Sequence, residues 1–409
     1  MKKILSAIKK AFSAVGRFFS AFIRKSKGLF AAFIALVLFL ILSLLRLSAD
    51  FCEFWTRTVG RWLTTALTFV NSLFPVSFYE WFIAGAIIFA ITVIVVLIVK
   101  AAKKRAKSML PFLAWTLAAV IVFLDFYTIT TAFAYDRKEL PIIAYSVKTD
   151  GALTLGEYSE MCDAMIDEIN SLSAKMQREN GTLVSPPRDE LISVIREEIR
   201  ILNNFDGYYT EATGTIKSPV FSRVFAEMGI LGVYFGPFGE SSVSALTHPM
   251  DLPNTIAHEL SHEKGILREN EANLSAYYLT IRSDNDYVRY CGLSAVCYHV
   301  LNGLVLYNEG YEIYKQKTDS LSEEFKNDYN GKFDYYAQYQ LLRNVSNFMT
   351  DLYLKLQGQS GGKQSYNDKG ADTIVKPDPS DPTGQTTVRV ISRYSDIQSL
   401  FIEHYRAKN

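Results

Sequence analysis

Apolar residues form three unbroken runs before residue 136, and helical or alternating patterns after it. The runs are residues 29–48 (LFAAFIALVLFLILSLLRLS), 81–99 (WFIAGAIIFAITVIVVLIV) and 110–135 (LPFLAWTLAAVIVFLDFYTITTAFAY). At about 1.5 Å of rise per residue, such runs reach across the ~30 Å hydrocarbon layer of a bilayer. β-branched residues crowd the second run and would suit a buried strand, but its length selects a membrane helix. The competing reading of the first run is a cleaved signal peptide. Its apolar part exceeds the usual h-region and no A-x-A site follows, so an uncut anchor is expected. Arg46 is expected to snorkel to the interface, and Asp125 to sit at the wet outer end of the third run.

Beyond residue 136 the period changes. Residues 155–176 (LGEYSEMCDAMIDEINSLSAKM) and 187–204 (PRDELISVIREEIRILNN) read as polar amphipathic helices parted by Pro186-Pro187. The passage 229–253 places Val233, Phe235, Val243 and Ala245 in short strands, with turns at Gly236-Pro237 and Gly239. Helical patterns resume near residue 254 and run, with breaks, to about residue 357. Periodicity then fades, and from Lys376 the chain reads as a Pro/Asp/Gly linker before a short amphipathic piece, DIQSLFIEHYR. The expected architecture is an anchor of three transmembrane helices followed by a mainly α (α+β) domain. Its parts are a tail 1–28, spans over 29–135, a domain 136–375, and a linker and tail 376–409.

Charge gives this plan a direction. The totals balance, with 43 Lys+Arg against 42 Asp+Glu. The distribution does not. Residues 1–27 carry Lys2, Lys3, Lys9, Lys10, Arg17, Arg24, Lys25 and Lys27 and no acid; residues 100–107 (KAAKKRAK) carry five more basic residues. The loop 50–80 has only Arg57 and Arg61, beside Asp50, Glu53 and Glu80. The positive-inside rule therefore puts the N-terminus and residues 100–107 in the cytosol, and the chain after residue 135 outside. Ile4, Ile8, Ala11, Val15, Phe18 and Phe22 recur at helical spacing among the lysines, the pattern of a basic helix lying on an anionic leaflet. The bilayer is the expected partner. No Gly-rich phosphate loop is present, and no nucleic-acid partner is expected. Cys52, Cys162, Cys291 and Cys297 lack metal-site spacing and are expected to be buried thiols.

Candidate chemistry is concentrated in NTIAHELSHEKGILRENEANLSAYYL, residues 254–279. His258-Glu259-Leu260-Ser261-His262 is an H-E-x-x-H. On a helix, His258 and His262 share a face and can reach one ion, while Glu259 sits one step round. Pro253 suits the first turn of such a helix, Asp251 or Asn254 its cap, and Gly265 its end. Ile256 and Leu260 fall on another face and can be buried. Two His ligands with a general base are what a zinc peptidase needs, plus a third ligand from a neighbouring element. The next helix offers Glu269 and Glu271. Glu269 is favoured: Asn273 lies one turn on and can steady a ligand, whereas Glu271 is turned about 200° away. The bland alternative is a solvated charged helix. It is disfavoured by the cap, the stop and the acid-rich helix that follows.

Glu269-x-x-Ala272-Asn273 resembles the E-x-x-A-D or E-x-x-A-N element of gluzincin metallopeptidases, which supplies their third ligand and its supporting partner. FPVSFYEWF, AYDR, GVYFGPFGESSVSAL, residues 252–279 and DLYLKLQG also resemble a bacterial family of uncharacterised membrane proteins of zincin type. The resemblance implies metal chemistry but no substrate.

The expected function is a membrane-anchored zinc metallopeptidase acting on a peptide or protein substrate outside the membrane. His258, His262 and Glu269 would hold Zn2+, with Glu259 as the catalytic base. The alternative from another class is a non-catalytic, metal-stabilised envelope binding or scaffold protein. An intact Glu259 argues against it, since a structural site has no use for that residue. His248, His299, Tyr287, Tyr290 and Tyr298 are weak candidates for an oxyanion-stabilising group, and His404 is expected on the surface of the tail.

Overall fold

A computed structural model describes residues 27–140, 153–200, 214–367, 369–377 and 387–408 of the chain. The basic helix expected in the N-terminal tail falls, through residue 26, outside these residues. The chain divides into two compact bodies: Met1–Trp55 with Phe78–Arg137, and Thr56–Ser77 with Lys138–Asn409.

The first body is helical. It holds α1 (Lys27–Leu45), α2 (Ala49–Trp55), α4 (Phe78–Ala102) and α5 (Ala106–Tyr127), which continues through a π turn to Tyr135. Three helices, Lys27–Leu45, Phe78–Ala102 and Lys107–Tyr135, are long and apolar enough to cross a membrane. Their outward residues are large and apolar, Leu40, Ile88 and Leu117 among them, as suits a lipid solvent. Arg46, near the end of the first span, pairs with Asp136 at 2.5 Å. Arg137 is buried and pairs with Glu53 at 2.9 Å. Each charge leaves water with a partner, which limits the desolvation cost. Asp125, expected at a wet interface, is buried at 5 % exposure.

The second body is mainly helical. Its labelled elements are α3 (Arg61–Ser72), α6 (Leu155–Ser173), the β1–β2 hairpin (Arg178–Glu179, Thr182–Leu183), α7 (Arg188–Glu198), α8 (Ser222–Met228), β3 (Gly232–Phe235), β4 (Glu240–Val243), α9 (Leu252–Glu263) and α10 (Glu269–Thr280). They continue with α11 (Asp286–Leu301), α12 (Gly310–Asp319), α13 (Glu323–Ala337), α14 (Arg343–Leu356), β5 (Asp372–Pro377), β6 (Thr387–Arg393) and α15 (Asp396–Lys408). Local chemistry sets several ends. Thr154 and Glu157 form a capping box at the start of α6, satisfying two otherwise orphaned donors. Asn285 caps α11 by accepting from the backbone of Tyr287 and Val288.

The core gathers apolar faces of α6, α9, α10, α11 and α15, with Ile169, Leu260, Leu279, Val296 and Ile402 almost fully buried. Among the described residues, strands pair as antiparallel hairpins, and β4 is also bridged to Lys217. All four cysteines are buried thiols.

Two boundaries differ from expectation. The expected linker at Lys376 begins inside β5, which pairs with β6, and Ile397, Leu400, Phe401 and Ile402 of α15 lie in the core. The C-terminal piece is therefore part of the domain. His404, expected on the surface, is buried. Residues 56–77, expected as a simple loop between spans, also belong to the second body.

Candidate metal centre

Helix α9 carries the motif. Pro253 occupies its first turn, where no backbone donor is needed. Ile256, Ala257 and Leu260 are fully buried on one side. Asn254, a candidate cap, is a tie between helices instead: its amide donates to the Cys291 carbonyl at 3.0 Å and accepts from the Thr280 hydroxyl at 2.8 Å. Asp251 stands at the N-cap position but makes no side-chain cap bond. Gly265 ends the helix with φ +83°, a left-handed conformation glycine adopts without strain. The chain reverses over Ile266–Arg268, and Glu269 is the first residue of α10.

This reversal brings three donors together. Glu269 Oε2 lies 3.2 Å from His258 Nε2 and 3.7 Å from His262 Nε2. One ligand atom from each residue falls within 4.8 Å of the others. Donors about 2.1 Å from a tetrahedral ion stand about 3.4 Å apart, so the cluster is compact enough to hold a metal ion. The His262 Nδ1 donates to the Ile266 carbonyl at 2.6 Å. A carbonyl only accepts, so the proton is on Nδ1 and Nε2 presents its lone pair to the site. The two imidazoles and the carboxylate form a donor set that could hold a metal ion.

Glu271 goes elsewhere. Its Oε1 accepts from Arg268 at 3.1 Å and from the backbone of Leu140 at 3.4 Å. Asn273 donates through Nδ2 to the Tyr366 carbonyl at 2.9 Å, and its side chain helps raise the pKa of His258. It stands one turn beyond Glu269.

Glu259 is buried, and its Oε2 has no hydrogen-bond partner among the described residues. Burial pushes its carboxyl up to about 8, opposed by His258 and reinforced by Glu269 and Glu263. The backbone of β3 closes over this carboxylate. A Cβ at Gly232 would stand 2.4 Å from Glu259 Oε1, so a side chain there would displace the carboxylate. On β4, Ser241 Oγ donates to the Glu259 carbonyl at 3.2 Å.

The other charges follow from the same burial. Burial lowers His262 to about 4, helped by the neighbouring His258. For His258, burial is outweighed by Glu269 and Glu259, and its pKa is raised. Burial opposes ionisation of Glu269, but the hydrogen bond from His258 and the attraction of the neighbouring imidazoles, the charged His258 above all, prevail and hold it low. Without metal, His258 and Glu269 thus form an ion pair.

The weak candidates lie outside this cluster. Tyr287 donates to the Pro249 carbonyl, Tyr290 to Asp328, and Tyr298 lies tilted against Tyr329. His248 stands against Tyr335 and Tyr336, and His299 is exposed. Tyr366 was missed by sequence reasoning. It closes the 3₁₀ turn Gly362–Tyr366, where its carbonyl accepts from Asn273. No spacing rule links it to the motif, because the fold supplies the proximity.

No curated protein and no solved structure matches the chain. A family described as a protein of unknown function (DUF3810) matches residues 55–369, a stretch that includes the inter-span segment, the β3–β4 hairpin, α9, α10 and Tyr366. The chain belongs to the DUF3810 family.

Proposed function

We propose that the protein is a membrane-anchored zinc metallopeptidase of zincin type, with its catalytic domain on the outer side of the membrane. The observation that carries this reading is the convergence of His258, His262 and Glu269 beside a buried carboxylate with an unsatisfied oxygen. A purely structural site needs only the ligands. The outward placement rests on the basic segments 1–27 and 100–107, by the positive-inside rule.

His258, His262 and Glu269 would hold the ion, with His262 fixed in its donor tautomer by Ile266. When bound, zinc supplies Lewis acidity, withdrawing electron density from a peptide carbonyl and easing deprotonation of water. Glu259 then takes the proton from the attacking water and returns it to the departing amine nitrogen. Its burial favours the neutral acid after the first transfer, so the proton is available for the second. Gly232 keeps the space around Oε1 clear of side-chain atoms.

The test compares the purified full chain with Glu259→Gln for bound zinc and for hydrolysis of a mixed peptide library. Equal zinc with hydrolysis lost is the result expected. Zinc in both without hydrolysis in either supports the non-catalytic scaffold, and zinc in neither removes both metal readings.

A further inference from the structure

The helix that joins the first two apolar spans is built inside out for a water-exposed helix. In α3 and the turn after it, polar side chains face the protein. Thr68 Oγ1 donates to the Gly239 carbonyl at 3.0 Å, Asn71 Nδ2 to Glu240 Oε2 at 2.8 Å, and Ser77 Oγ to Glu240 Oε1 at 2.5 Å. Lys217 Nζ donates to the Val76 carbonyl at 2.7 Å. Thr68, Asn71, Ser77, Glu240 and Lys217 are all buried. The opposite face is apolar and open: Trp62 is 75 % exposed, Leu73 63 %, Phe69 58 % and Val70 54 %. A water-facing helix puts its polar side outward. This one carries a contiguous apolar patch, the sign of an interaction surface.

Chain connectivity names the occupant. Only residues 73–77 separate α3 from the apolar helix Phe78–Ala102. Five residues span at most about 18 Å, so the end of α3 stays within reach of the bilayer surface. Trp62 on the outward face is the residue type that favours the boundary between headgroups and acyl chains.

We propose that the outward face of α3 lies in the interfacial layer of the bilayer, as an in-plane lipid-binding helix. Glu240 and Gly239, to which its inner face is bonded, border β4, the hairpin partner of the strand that covers Glu259. Membrane attachment thereby reaches the hairpin that shapes the candidate site. The inference rests on the membrane-spanning part of the proposed function and is independent of metal binding and hydrolysis.

Spin labels on the full chain in lipid nanodiscs test it. The native cysteines are buried, so labels are introduced by Phe69→Cys, Leu73→Cys, Ile87→Cys and Glu323→Cys. Relaxation by oxygen, which concentrates in lipid, is compared with relaxation by a water-soluble nickel chelate. Labels at 69 and 73 are expected to show an oxygen-to-nickel ratio several-fold above that at 323, approaching that at 87. If 87 reads as lipid while 69 and 73 match 323, the inference fails and the spans stand. Low access to both reagents at 69 and 73 would put a protein contact there and overturn it equally. If 87 also reads as water, the membrane reading itself fails.

Discussion

At the scale of single residues, a pair of neighbouring glutamates illustrates how narrow the site is. Glu269 faces His258 and His262, whereas Glu271 is held by Arg268 and the backbone of Leu140. Glu269→Ala is expected to lose bound metal and Glu271→Ala to keep it, as read by metal analysis of each purified variant. Glu259→Gln is expected to keep metal and lower peptide hydrolysis by about 10²–10⁴. Gly232→Ala should also keep metal but lose activity, because its methyl enters the space of the Glu259 carboxylate; metal content and turnover measured together separate this from misfolding. Charge supplies a further expectation for the metal-free chain. The raised carboxyls of Glu259 and Glu263, and the raised His258, contribute stability that is fully present below their unfolded values. That contribution is lost as pH rises through the folded values, about 8 and about 7 for the two carboxyls. The depressed His262 acts in the opposite sense, but only as pH falls through 6.5 towards about 4. Denaturation midpoints of the metal-free protein should therefore fall between about pH 6.5 and about pH 8.5, and bound metal should flatten that trend. The His258–Glu259–His262 arrangement was legible in sequence because helical spacing alone puts both imidazoles on one face. Tyr366 was not, because 93 positions separate it from Asn273, its partner.

At the scale of elements, periodicity located most helices and composition misplaced one boundary. Prolines, aspartates and glycines between Lys376 and Gln385 hid a hairpin, since strand pairing between β5 and β6 leaves little periodic signal in so short a stretch. The amphipathic piece beyond it was visible, but its burial was not: Ile397, Leu400, Phe401 and Ile402 become core residues only through packing against elements far away in sequence. Ile402→Ala is expected to cost about 2–5 kcal/mol through lost packing. Val375→Ala, at an exposed strand position, should cost little. Thermal midpoints of the two full-length variants check the pair. The turn between α9 and α10 is the element on which the candidate site depends most. Gly265 permits the left-handed step that lets Glu269 face back towards the histidines.

At the scale of the whole molecule, the apolar runs were legible because lipid removes the need for an amphipathic pattern. The membership of Thr56–Ser77 in the second body was hidden for the converse reason: its polar residues turn inward, where sequence rules expect apolar ones. A fragment cut at residues 136–375 would lose both this segment and α15, so the full chain is the proper object of experiment. The proposed topology rests on charge. A cysteine placed near residue 330 should react with an impermeant reagent on intact cells, and one near residue 104 should not; labelling at 104 alone would put the candidate metal centre in the cytosol. The central claim, a working metal centre at His258, His262 and Glu269, is tested most directly by zinc per chain and peptide hydrolysis in full-length wild type, Glu259→Gln and Glu269→Ala. The expected results are one zinc with activity, one zinc without activity, and neither zinc nor activity, in that order. Undiminished hydrolysis by Glu269→Ala, or by the wild type stripped of metal, would contradict the claim.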